Sequence, residues 1–192
     1  TQGSSVPANG WASDAGVSST GRYVGFASDA TDLVPGYLGA AGNSQIYIWD
    51  RLDGSIELVS HSILGAFAGA DGSSYAPFVS TDGEVVVFES SAADLIAGYS
   101  GAQYVQQVFQ WRRSTNEVRL VSHATNSATE GASDGAWSVS AADSGTELVF
   151  VSYSSNLTAQ PPSGQTIYYW SESLPALRVV SHSFADTSQP AS

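Results

Sequence analysis

Histidine is the residue type in this chain best suited to proton transfer or metal ligation, and its placement follows a rule. His61, His123 and His182 are the only histidines, and each closes the tripeptide Val-Ser-His. Three imidazoles are enough protein ligands for a catalytic zinc, so the spacing decides whether they can converge. They stand 62 and 59 residues apart, as do Trp49, Trp111 and Trp170. The histidines are therefore one position of a repeated unit. The expectation is that each ends a strand and caps the connection to the next unit, with no shared metal; a ligand contact repeated once per unit is the alternative.

Other catalytic templates are missing or incomplete. Asp14, Asp71, Asp134, Glu89 and Glu147 do not recur as a pair, whereas glycoside hydrolysis needs two carboxylates across one cleft. Asp32, Asp94 and Asn156 do recur, but the tolerance of asparagine points to a side chain that accepts a local backbone N–H at a turn. With no cysteine and no lysine, neither a thiolate nor a P-loop lysine exists. No Gly-x-Ser-x-Gly elbow is present. The chain is read as a non-enzyme without catalytic residues or cofactor.

Eighteen acidic residues face six arginines, a net charge of −12, which repels phosphate backbones and excludes nucleic acid as a ligand. Only 12% of residues are charged, a composition close to that of exported bacterial β-proteins. The longest apolar runs, such as Glu-Val-Val-Val-Phe-Glu at 84–89, are strand-sized and too short to enter a bilayer as a helix. With Thr1 in place of an initiating methionine, the expectation is a processed or excised piece of a secreted or periplasmic protein.

The elements that must position these residues form three units, about 9–61, 71–123 and 131–183, within one domain over 1–192. Each unit predicts four short strands. The second strand, near 22–28, 84–90 and 146–152, is rich in β-branched and aromatic residues and follows a turn carrying Gly21, Gly83 or Gly145. The third is Gln-Ile-Tyr-Ile-Trp and its equivalents; the fourth ends in Val-Ser-His. Phe26, Phe88 and Phe150 are expected to be buried equivalents. Four strands per unit, repeated in tandem, predict an all-β propeller.

The stretches "STGRYVGFASDATDLVPG" (19–36) and "STDGEVVVFESSAADLIAG" (80–98) resemble TolB-type, WD-like propeller repeats, with a looser third copy. That resemblance implies three four-stranded blades, half of a six-bladed ring. Where such repeats carry acidic residues near the third strand, this chain has Tyr37, Tyr99, Gln45, Gln107 and Thr166, so a calcium site lacks its carboxylates. Tyr37 and Tyr99, on glycine-flanked loops, become candidate ligand-binding residues together with His61, His123 and His182. Tyrosine there offers contact area and a hydroxyl, or folds back on its own loop.

Three blades leave two uncovered apolar faces. They are expected near Trp11 and Val17 at one end and around Tyr168 and Trp170 at the other, and a homodimer would close six blades across two equal junctions. The expected role is a binding or scaffolding module that shows one ring face to a protein or glycan. The alternative is a propeller fragment supporting a hydrolase domain outside this chain.

Overall fold

In the computed structural model, which describes residues 6–174 and 176–183, the runs of β-branched and aromatic residues form twelve strands. The first sheet holds β1 (Ala12–Val17), β2 (Tyr23–Ser28), β3 (Gln45–Asp50) and β4 (Ile56–Leu58). The second holds β5 (Ser74–Val79), β6 (Val85–Ser90), β7 (Gln107–Arg112) and β8 (Glu117–Leu120). The third holds β9 (Trp137–Ala141), β10 (Glu147–Ser152), β11 (Thr166–Ser171) and β12 (Arg178–Val179). Each is an antiparallel meander in chain order. Gly21, Gly83 and Gly145 turn the first hairpin of each sheet at φ of 69°, 72° and 69°, a region that costs a side chain dearly.

The repeat is kept at the level of register. Phe26 pairs Tyr47, Phe88 pairs Phe109 and Phe150 pairs Tyr168 across the second and third strands, with rings stacked at 5.7, 5.9 and 5.6 Å. The first strand of every sheet is bulged at a non-glycine residue in the left-handed region: Asp14, Ala76 and Ser138. Such a bulge re-aims the strand and frees its backbone groups from the ladder. The alternation of side chains seen in the sequence did not announce it.

Because strand residues alternate between faces, each sheet has two packing surfaces. Tyr23, Ala27, Ile46 and Ile48 of the first sheet pack on Val86, Phe88, Phe109 and Trp111 of the second. Val85, Val87 and Val108, on the other face of the second sheet, pack on Leu148, Phe150, Tyr168 and Trp170 of the third. The first strands β1, β5 and β9 neighbour one another along the inner side. Gly25 belongs to this close approach, since a Cβ there would lie 2.5 Å from Val79 Cγ2.

This corrects two expectations. Tyr168 and Trp170 do not lie on an uncovered face: Tyr168 is fully buried and Trp170 nearly so, with the Arg119 guanidinium 4.6 Å from the Trp170 ring centre. Alternation shows which residues share a face, but not which neighbour that face meets. The outer face of the third sheet instead carries Val149, Val151, Ile167 and Tyr169. Phe26, unlike Phe88 and Phe150, is only partly buried, because it lies on the outer face of the first sheet with Val24, Trp49 and the exposed Val17. Trp11 is exposed immediately before β1.

Candidate functional site

The recurring polar residues are absorbed mainly by the connections between sheets. Gln45 and Gln107 are fully buried. The Gln45 amide donates to Ala70 O at 3.1 Å while its oxygen accepts from Ser60 Oγ at 2.6 Å and Ala70 N at 3.2 Å. Gln107 repeats this with Ala132 and Ser122. Ser60 and Ser122 in turn accept the N–H of Ile46 and Val108. The glutamine that opens the third strand and the serine of Val-Ser-His therefore form one clamp, which ties a third strand to the start of the next unit. In the third sheet Thr166 takes the glutamine's place, and Ser181 Oγ accepts Ile167 N–H at 3.0 Å.

The histidines follow the clamp on three different sheets. His61 is buried, with Nδ1 3.2 Å from Ser62 O and Nε2 3.2 Å from Asn116 O in the second sheet. His123 Nδ1 lies 2.9 Å from Ala124 O, and the exposed His182 has Nδ1 3.2 Å from Ser183 O. Each ring thus faces the carbonyl of the residue that follows it, and among the described residues only His61 also reaches the neighbouring sheet. Among the described residues no group of three or more His, Asp or Glu is gathered as an ion cage.

Asp32, Asp94 and Asn156 each accept a backbone N–H, from Asn9, Asp71 and Ser133. The donor stands 23 residues away, so the bond fastens the entry of each unit rather than a local turn. Burial holds the Asp94 carboxyl above the usual range.

Tyr37 and Tyr99 are half-buried, and burial pushes both phenols up. Tyr37 lies over Gly39 and Gly69, and Tyr99 over Gly101 and Gly131; a Cβ at any of the four would overlap the ring or hydroxyl. The two tyrosines are packed onto their own loops and the adjoining crossovers.

Beside them lie two equivalent surfaces that differ in kind. Residues 61–69 and 123–131 are the two crossovers between sheets, and they share a backbone. Ser62 N–H donates to Ala68 O at 2.7 Å where Ala124 N–H donates to Glu130 O at 2.8 Å, and Ile63 N–H meets Asp94 O where Thr125 N–H meets Asn156 O. Leu38 N–H reaches Phe67 O at 2.8 Å where Ser100 N–H reaches Thr129 O at 2.9 Å. The side chains diverge at four exposed positions. Leu38, Ile63, Leu64 and Phe67, exposed by 76%, 57%, 84% and 55%, stand where the second crossover has Ser100, Thr125, Asn126 and Thr129. The fold does not require these apolar groups, since the polar set holds the same bonds. Ile63 and His61 also border a groove of about 480 Å³ against Ile96, Val118 and Arg119. The patch is legible in the sequence where residues 62–67 stand beside 124–129 and Leu38 beside Ser100.

No family model matches the chain, and neither does any curated protein. Among solved structures, TolB from Acinetobacter baumannii is similar, with a TM-score of 0.52 at 17% identity over 90% of this chain and 33% of that one. The likeness is one of fold, and three four-stranded antiparallel sheets fit a TolB-like propeller fragment. The chain spans about a third of the length of that TolB chain.

Proposed function

We propose that this chain is a non-enzymatic binding module whose ligand is a protein, held on the surface formed by Leu38, Ile63, Leu64 and Phe67. The observation that carries this reading is the pair of crossovers with one backbone and opposite polarity. Contiguous exposed apolar side chains that folding does not need mark a contact surface. A protein suits it better than a glycan, because three of the four side chains are aliphatic and give no flat stacking plate. The net charge of −12 favours a partner segment whose apolar residues are flanked by lysine or arginine. The blades would serve as a rigid stage for that face, and the low content of charged residues suits an exported setting. Among the described residues no helix is long and apolar enough to cross a membrane.

A displayed peptide library selected on the purified chain tests this reading, with the quadruple variant Leu38→Ser, Ile63→Thr, Leu64→Asn, Phe67→Thr as counter-selection. Peptides with apolar and basic residues should bind the parent and lose at least about tenfold in affinity for the variant, since buried apolar anchors dominate such contacts. Equal binding to both removes the reading. Binding on a glycan array that survives the four substitutions would favour a carbohydrate ligand at another place.

A further inference from the structure

The two junctions inside the chain use the same positions with different chemistry. At the outer edge, the fourth-strand residue that faces the next sheet meets the residue that follows that sheet's third strand. Glu57, paired with Ile48, forms an ion pair with Arg113. Arg119, paired with Gln110, forms one with Glu172, which Arg112 Nη2 also reaches at 2.7 Å. The signs are reversed between the junctions, while the positions are the same. Arg51, Arg113 and Glu172 are equivalent by backbone as well, donating N–H to the carbonyls of Arg22, Glu84 and Thr146 at 2.9, 2.8 and 3.0 Å.

A second match lies at the inner strands. Glu89 Oε1 accepts the N–H of Val139, next to the bulge residue of β9, at 3.0 Å. The equivalent positions at the first junction are Ala27 and Pro77. Where the acceptor is missing, the N–H is missing too. Each internal junction is thus self-consistent in two independent places.

The outer faces carry half of each pair. The first sheet offers Arg51, exposed apart from an Nε bond to Gly21 O at 3.2 Å, and the N–H of exposed Ala15. The third offers exposed Arg178, paired with Tyr169, and Val151, paired with Trp137 as Glu89 is with Tyr75. Joining the third sheet of one copy to the first sheet of another would set Arg178 against Arg51, and Val151 at the place where Ala15 N–H calls for an acceptor. Both positions mismatch, although both faces are largely apolar.

We infer that the two outer faces are docking surfaces for further four-stranded units of complementary charge, and not for a second copy of this chain. The unit seated on the first sheet carries a carboxylate at the position of Glu57 and an acceptor at that of Glu89. The unit seated on the third carries a carboxylate at the position of Glu172 and a proline at that of Pro77. Like charges set against each other reject a wrong partner that shape alone would admit. The inference does not depend on the apolar patch or its ligand.

Reversing one charge should create the junction that the natural chain refuses. Self-association of the parent, Arg51→Glu, Arg178→Glu and the double variant is measured by sedimentation equilibrium at low salt, after circular dichroism has shown unchanged β-structure. Each single variant should associate about tenfold or more tightly than the parent, and the double variant should fall back. High salt should narrow the difference. A parent that associates as tightly as either single variant, a double variant that stays tight, or no association in any of the four overturns the inference.

Discussion

The junction between the first and second sheets and the junction between the second and third are built on one backbone and differ in almost every polar choice. The first has Ala27 with Pro77, the pair Glu57–Arg113, a buried His61 and an apolar crossover. The second has Glu89 bonded to Val139, the pair Arg119–Glu172, a less buried His123 and a polar crossover. What stays constant is what the fold needs: the stacked aromatic pair, the bulge and the glutamine–serine clamp. What varies is free to encode partners, provided that both halves of a pair change together.

The sharpest test of that last statement converts the second junction into the first. Glu89→Ala leaves the Val139 N–H and the Gln106 amide without their acceptor, at a cost of about 1–3 kcal/mol in chemical unfolding. Glu89→Ala with Val139→Pro should recover part of that loss by removing the stranded donor. The first junction carries proline at this place in an equivalent bulge, where Ala76, before Pro77, and Ser138, before Val139, have φ of 52° and 54°. A double variant weaker than the single one would break the equivalence of the two junctions.

The histidines give a smaller contrast. His61 has two carbonyl contacts, one across the junction, and His123 has one within its own crossover. His61→Ala should cost about 1–2 kcal/mol and His123→Ala no more than about half of that. Equal losses would show that the bond to Asn116 adds nothing.

The smallest expected effect is a slope with pH. Burial holds the Glu89 carboxyl above its ordinary range, so the folded chain keeps this proton to higher pH than the unfolded chain does. The stability that Glu89 contributes is complete below its unfolded value and is lost as pH rises through the folded one. Relative to Glu89→Gln, the parent should therefore lose stability across that window. The first junction has alanine there and supplies no such slope. Parallel curves for the two proteins would show that Glu89 does not titrate this way.

How much of this was legible in the sequence depended on the kind of information needed. The strands at Tyr23–Ser28, Val85–Ser90 and Glu147–Ser152 were readable because period-two alternation is set by local stereochemistry. The repeat was readable because equivalent packing positions demand similar side chains. The partner of each face was not: Tyr168 and Trp170 share a face by alternation, and only the order of the sheets in space puts that face inside. The bulges at Asp14, Ala76 and Ser138 were invisible because none is a glycine. The clamp role of Gln45 and Gln107 was not legible, since a side chain bonded to a residue 25 positions away leaves no local mark.

Among the described residues, each sheet is closed by its own four consecutive strands, and none takes a strand from another unit. Under tension applied at its two ends, the described sheets are held to one another by packed faces and by the glutamine–serine clamp, and by no exchanged strand. An end sheet can unzip from its terminal strand, β1 or β12, one ladder bond at a time. Each unit of roughly 62 residues would then lengthen the tether by about 200 Å at ~3.3 Å per residue. The molecule should respond to force as a short row of fuses, in steps of similar length, each released when an end sheet parts from the neighbour it packs on.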